Sequence, residues 1–310
     1  MSFSATLVPT APAINYHLKR QFFNKKVEDR PFIFRLTCDK KCTMNTRALG
    51  NLFSGPSFQP MWKRLHKLSL HRMNYGRGAT VAGSGEEWVL GYLKRANRHR
   101  TPFVVFDVGA NTGRYTEMAL SSLGKHTKVY CFEPNEATFS VLKSNHGTNE
   151  SVRCYNIGLS DKEESLVLYS NGETSGMASL YHRRLDHANI IMKPISRIPL
   201  TTLDLFCKRK KVERIDFLKM DVEGHELKVL KGAAEMISSG GIAFMQFEFG
   251  DCNVDSRTFF RDFFEFLTPH YKVFRILHAG LWPIDNYDEA YEIFKVTNYF
   301  AIGRGADQIA

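Results

Sequence analysis

The run "MDVEGHE" crowds Asp221, Glu223, His225 and Glu226 into six residues, directly after the apolar stretch Ile215–Met220. Carboxylates and an imidazole at that density suit proton transfer: one group takes a proton from a reacting hydroxyl while its neighbours set its charge. His225 is the first choice of base, because an unperturbed imidazole titrates at about 6.5, close to working pH. Asp221, Glu223 and Glu248 need raised values or a metal to do the same work. A divalent ion held by Asp221, Glu248 and Asp251 fits the preference of magnesium for oxygen ligands. The plainer alternative is that Glu223 and Glu226 favour the positive end of a helix beginning near Gly224, with His225 at the surface.

A reacting centre needs a donor beside it, and "VVFDVGANTGRYTEMAL" (Val104 to Leu120) has the form of a ligand turn. An apolar strand runs into a turn holding Gly109 and Gly113, and a helix with unpaired N–H groups follows. A dinucleotide site shows Gly-x-Gly-x-x-Gly; here Asp107 leads and there is one glycine fewer. An acid at that strand end repels pyrophosphate and attracts a cationic amino or sulfonium group, which points to S-adenosylmethionine. The next apolar strand ends in "CFEPN", with Glu133 placed 26 residues after Asp107. There a carboxylate can accept both hydroxyls of a ribose. Gly158 to Asp161, in "NIGLSD", lie at the third strand end, where backbone amides with Ser160 or Asp161 would meet an adenine edge or simply form an Asx-type turn.

These residues require a scaffold that brings strand ends together. Apolar and helical stretches alternate: strand Val104–Val108, helix Tyr115–Leu123, strand Val129–Phe132, helix Ala137–Ser144, strand Val152–Ile157. Such a series builds a parallel sheet with helices on both faces and its ligand at the carboxyl edge. Ile215–Met220, "IAFMQFEFG", "YKVFRIL" and "TNYFAIG" complete seven strands, with "HAGLWPID" as a loop between the last two. Residues of about 160–200 read as an insertion of short strands. Acceptor selection is expected from Ser175–Arg184 and the loop around His278–Trp282, where Tyr181 and Trp282 offer rings to a sugar. Ahead of the sheet, residues 61–100 are helical in pattern, with Trp62, Leu65, Leu68 and Met73 on one face. Ser84 then caps a second helix carrying Glu86, Glu87, Trp88, Leu90 and Leu93.

Composition narrows the class. The chain has 310 residues and 43% hydrophobic content, suiting a globular core. No apolar run approaches the roughly 20 residues a bilayer helix needs, so a soluble, cytoplasmic protein is expected. Six scattered cysteines (Cys38, Cys42, Cys131, Cys154, Cys207 and Cys252) read as free thiols rather than a disulfide framework. The net charge of +10 is uneven: residues 1–80 hold 14 Lys and Arg against 3 acids, and the remainder holds 28 against 29. Residues 1–60 therefore read as a basic, flexible segment that would contact an anionic partner or remain a solvated tail. They bear a weak likeness to an organelle transit peptide, and "RPFIFRLTC" is a candidate short strand.

In order, "FDVGANTG", "CFEPN", "NIGLSD", "LKMDVEGHELKVLKGA" and "FEFG" resemble the FkbM-type family of S-adenosylmethionine-dependent methyltransferases. The resemblance covers about Gly83 to Gly305 and is most specific in "KMDVEGHE". It implies an α/β fold, the class I methyltransferase (Rossmann-like) three-layer sandwich, with a seven-stranded, mostly parallel sheet and an antiparallel last strand. By that likeness Asp107, Gly109, Asn111 and Gly113, with Ala110 and Thr112 between them, hold the methionine end of S-adenosylmethionine. Glu133, beside Pro134, holds the ribose; Gly158, Ser160 and Asp161 lie near adenine; Asp221 sits near the transferred methyl group. Glu223, His225 and Glu248 complete the catalytic set. The family implies O-methylation of a small-molecule or glycan hydroxyl. Two other readings use the same residues: an RNA methyltransferase whose basic N-terminal arm contacts phosphates, and a non-catalytic module that binds the cofactor alone.

Overall fold

Where the sequence turns apolar, the chain turns into strands. The computed structural model describes residues 53–77, 81–96 and 101–306. The chain divides into two units, residues 1–56 and 57–310. The first lies almost wholly outside the described residues, as do the basic arm, "RPFIFRLTC", Cys38 and Cys42. In the second unit, Gln59–Arg72 (α1), Val81–Ser84 (α2) and Glu86–Ala96 (α3) precede the alternating series Phe103–Val108 (β1), Arg114–Leu123 (α4), Thr127–Phe132 (β2), Glu136–His146 (α5) and Val152–Tyr155 (β3). Gly158–Leu159 (β4), Glu164–Ser170 (β5) and Lys193–Thr201 (β6) follow. Then come Leu203–Lys210 (α6), Ile215–Met220 (β7), Glu226–Lys231 (α7), Ala234–Ser238 (α8), Ile242–Phe249 (β8), Cys252–Ser256 (α9), Phe260–Leu267 (α10), Tyr271–Leu277 (β9), Gly280–Ile284 (β10) and Thr297–Gly303 (β11).

The main sheet has eight strands in the order β10-β9-β11-β8-β7-β1-β2-β3. Strands β3, β2, β1, β7 and β8 pair in parallel, whereas β11 runs antiparallel between β8 and β9. Seven strands were expected; the eighth comes from the stretch read as a loop. "GLWPI" returns along β9 as a hairpin, Gly280 opposite Leu277 and Ile284 opposite Val273. The proline and short length that argue against a strand are tolerated here because β10 is an edge.

Period-two alternation splits β1 between two cores. Phe103 and Val105 join Leu90 and Leu93 of α3, Ala119 of α4 and Leu142 of α5 on one face. Phe106 and Val108 join Phe206 of α6, Leu230 of α7 and Phe263 of α10 on the other. The result is a helix–sheet–helix sandwich, each buried Leu or Phe contributing roughly 1.5–3 kcal/mol of burial. β7 and β8 are buried along their whole length, as parallel strands covered on both faces must be.

Beside this sheet β4, β6 and β5 form a separate three-stranded sheet, so the third strand is shorter than expected and Gly158 pairs with Leu200 instead. Isolated bridging of Tyr169 with Ser179 folds the connection after β5 back across the carboxyl edge. Cys131, Cys154, Cys207 and Cys252 are free thiols. Among the described residues no helix is long and apolar enough to cross a membrane. The expected helix forms as α1, and no residue of it is buried.

Candidate active site

A cavity opens at the carboxyl edge where β1, β2, β4 and β7 end. Its lining includes Gly109, Asn111, Glu133, Pro134, Gly158, Asp221, Glu223 and His225, with Val108, Phe132, Leu159 and Leu200 as apolar wall. Ser175, Gly176, Ala178 and Leu180 of the inserted segment close its outer side.

The turn after β1 is held from below and beside. Gly109 has φ +79°, and a Cβ on it would lie 1.9 Å from the carbonyl oxygen of Asp221, so β1 and β7 meet backbone to backbone at this point. Gly113 has φ +89°, and a Cβ there would strike the ring of His146, whose Nε2 lies 3.1 Å from the Gly113 carbonyl. Both positions exclude other residues on steric grounds.

Asp107 does not reach the cavity. It is fully buried, accepts from Thr116 Oγ1 at 2.7 Å, and lies 3.8 Å from the Lys219 ammonium, its partner across the β1–β7 register. Lys219 also approaches Asp221 Oδ2 at 3.2 Å and stands over the Tyr115 ring at 5.0 Å. Burial works against its charge, but Asp221, Asp107 and Glu86 outweigh that and hold the ammonium above its ordinary range. Ala110 is buried in the core, and Thr112 gives its carbonyl to Asn145 at 2.9 Å; neither lines the cavity.

Glu133 sits at the cavity floor, pinned by two backbone amides: Asn111 N donates to Oε2 at 3.0 Å and Asn135 N to Oε1 at 2.9 Å. Burial pushes its carboxyl up to about 7 against the pull of those amides. Each oxygen keeps a second acceptor site. Asn156 Nδ2 secures the following peptides by donating to the Glu133 and Pro134 carbonyls at 3.0 and 3.2 Å.

At the end of β7 the chain makes a left-handed turn, Glu223 at φ +53° and Gly224 at φ +101°. Arg183, buried at 3% exposure, forms ion pairs with Glu223 and with Asp251. Burial and the neighbouring Asp221 push the Glu223 carboxyl up to about 8, with Arg183 opposing. Glu248 is raised as well, through burial and the charges of Asp221, Glu223 and Glu226. Glu226 is fully buried and accepts from Val222 N and Gly224 N at 2.9 and 3.3 Å, which fastens the turn to its own helix.

Several expectations change. His225 lines the cavity, but its ordinary value near 6.5 does not hold: burial pulls it down to about 4. Both ring nitrogens are engaged, Nδ1 with Tyr181 Oη at 3.0 Å and Nε2 with Ser160 Oγ at 2.9 Å. Ser160 and Asp161, expected near adenine, do not line the cavity. Ser160 is buried against His225, and Asp161 pairs with Lys228 of α7. Trp282 lies on the edge strand β10, four strand spacings from β7 and roughly 19 Å away at the usual strand spacing, and does not line the cavity. Asp251 turns to Arg183, and among the described residues no three His, Cys, Asp or Glu side chains converge as ion ligands.

Sequence reasoning missed Lys219, Asn156 and the role of Arg183. A lysine inside the otherwise apolar strand "IDFLKM", two residues before Asp221 and thus on the same face, was the available signal.

Residues 107–276, more than half of the chain, match the methyltransferase FkbM domain. The 2-O-methyltransferase NoeI of Sinorhizobium fredii is 27% identical over 145 residues, 44% of this chain and 59% of that protein. The hexuronic acid methyltransferase AglP of Haloferax volcanii is 28% identical over 154 residues, 47% of this chain and 56% of that protein. The chain thus spans under two thirds of the length of these curated relatives. Among solved structures, a methyltransferase FkbM from Methylobacillus flagellatus aligns over 66% of this chain and 46% of its own with a TM-score of 0.40 and 17% identity.

Proposed function

This chain belongs to the FkbM methyltransferase domain family, and on that premise we propose that it methylates a hydroxyl group of a sugar, glycan or related small metabolite with S-adenosylmethionine as donor. The relatives, a 2-O-methyltransferase and a hexuronic acid methyltransferase, support a sugar-type hydroxyl as acceptor. The single observation that carries the donor reading is Glu133: a buried carboxylate, fixed by two amides, with spare acceptor sites turned to a cavity that is otherwise apolar on that side.

The residues fit the donor. Glu133 would take the ribose diol, and Phe132, Pro134, Leu159 and Leu200 would face the adenine. Gly109 and Asn111 would face the methionine end, with the Asp221 carboxylate beside the cationic sulfur. When bound, S-adenosylmethionine supplies a methyl group on a sulfonium, which needs no activation from the protein. Asp107, Thr116 and Lys219 act one step back, holding the turn and balancing charge beneath it.

What remains for the chain is to orient the acceptor and remove its proton. Glu223 fits that task better than His225, since its carboxyl is raised toward working pH while the imidazole is depressed and bonded on both nitrogens. His225 then serves as a neutral strut between Tyr181 of the insertion and Ser160.

Calorimetric titration with S-adenosylmethionine and, in parallel, NAD tests the donor. Binding of the first alone is expected, and Glu133→Ala should weaken it by about tenfold or more, the worth of charge-assisted hydrogen bonds. Affinity should also decline below about pH 7, because the folded carboxyl titrates there and its protonated form loses acceptor capacity. Equal binding of NAD, or an unaltered Glu133→Ala affinity, would overturn the assignment.

A further inference from the structure

Strands β2 and β3 set two cysteines side by side. Cys131 and Cys154 are register partners in this parallel pair, so their side chains leave the sheet on the same face, into the core shared with α3, α4 and α5. Neighbouring strands run about 4.7–4.9 Å apart, inside the roughly 4.4–6.8 Å between Cα atoms that a disulfide spans. The two thiols differ in access: Cys131 is fully buried, whereas Cys154 is only partly covered on the edge strand β3. Cys131 Sγ lies 3.1 Å from Thr116 Oγ1, which fixes the inner sulfur in place. A hydrogen bond from the Cys131 thiol lowers Cys154, with Lys143 of α5 adding to the effect and burial opposing it. The same bond, together with burial, raises Cys131.

We propose that Cys131 and Cys154 are an oxidative modification site, whose reagent is a hydroperoxide and whose product is a disulfide joining β2 to β3. The outer sulfur reacts first. The Cys154 thiolate attacks the O–O bond of hydrogen peroxide, an S–O bond forms, and the departing hydroxide takes up the proton that Cys154 released, leaving a sulfenic acid and one water. The Cys131 sulfur then attacks the Cys154 sulfur. An S–S bond forms, the S–O bond breaks, and the Cys131 proton leaves with the hydroxide as a second water. Two thiols have been oxidised by two electrons in all, and one peroxide has been reduced to two waters.

The pairing singles out these sulfurs from the other thiols of the fold. Reactivity toward peroxide follows thiolate character and access, and a resolving cysteine beside the first completes the arrangement. Cys207 and Cys252 have neither: both are buried, and burial pushes Cys207 up to about 12 and raises Cys252 as well. Two thiolates side by side would also suit a soft cation such as zinc, which takes four ligands. Among the described residues no set of three His, Cys, Asp or Glu side chains converges to supply them, so oxidation is the chemistry the pair fits.

The test is peptide mapping of the full chain after treatment with hydrogen peroxide and blocking of the remaining thiols with iodoacetamide. Tryptic peptides 129–143 and 154–162 should appear joined, lighter than their sum by two hydrogens, and should separate after dithiothreitol. In the reduced native chain at pH 7, iodoacetamide should label Cys154 about tenfold faster than Cys207 or Cys252. Cys131→Ser should lose the cross-link and leave a sulfenic acid on Cys154 that a cyclic 1,3-diketone traps. Cys154→Ser should lose the cross-link and leave Cys131 unoxidised. Peptides that stay separate in the native chain, Cys154 bridged to any other cysteine, labelling of Cys154 no faster than that of the buried thiols, or peroxide oxidation of Cys131 in the Cys154→Ser chain would each overturn the proposal. None of these outcomes depends on the donor or acceptor assignment.

Discussion

Glu223→Gln should lower turnover by about 10²–10⁴-fold, the usual contribution of a positioned general base, while cofactor affinity stays close to that of the unaltered chain. Gln keeps the shape of the side chain, and its carbonyl can still accept from Arg183, so the turn at φ +53° persists. What disappears is the anionic acceptor of a proton. The pH profile separates this from a purely structural effect. A base acts in its ionised form, and the Glu223 carboxyl is raised to about 8, so the rate should climb with pH, reach half its plateau near 8, and fall away below. If His225 were the base, its depressed value of about 4 would leave the rate flat across the neutral range. A flat profile, or a Glu223→Gln variant with more than a tenth of the native turnover, would remove Glu223 from the role.

Gly109→Ala should cost about 3–5 kcal/mol of stability, lowering the thermal midpoint by roughly 10 °C, and should abolish cofactor binding. Two penalties combine. The position has φ +79°, which an L side chain rarely adopts, and the added Cβ would sit 1.9 Å from the Asp221 carbonyl. That carbonyl cannot retreat easily, because the Asp221 amide of the same turn donates to Val108 at 3.0 Å. Gly91→Ala in α3 is the control: the nearest neighbour of its Cβ is the flexible end of Arg95 at 3.6 Å, so helix propensity should make it neutral or slightly stabilising. Differential scanning calorimetry of both variants decides the matter, and a Gly109→Ala midpoint equal to the native one would show that the close approach of β1 and β7 is not needed.

Much of the scaffold was legible because its signals are local. Apolar runs of strand length separated by helical periodicity announce a parallel sheet, and the spacing of Asp107, Glu133 and Asp221 places acids at successive carboxyl ends. The glycine turn was readable for the same reason: Gly109 and Gly113 mark backbone that no side chain can share. The eighth strand was not legible, since "GLWPI" carries a proline and earns its place only by finding the free edge of β9.

The charge states of the site belong to a different level. A histidine in "EGHE" carries no sign of its burial; only the return of the inserted segment brings Tyr181 to one nitrogen and the end of β4 brings Ser160 to the other, and burial lowers the imidazole. Lys219 becomes the counterion of Asp107 only when β7 pairs with β1, 112 positions apart in sequence. The helical pattern of α1 is written in its residues, but that none of them is buried is a fact of packing. By itself, then, the sequence determined the elements, the turn and the acids at the strand ends, because short-range sterics and periodicity specify them. The tertiary structure decided which of those acids is buried, which cation answers it and how the carboxyls and the imidazole are shifted, because desolvation and Coulomb energy depend on neighbours that the chain supplies from afar.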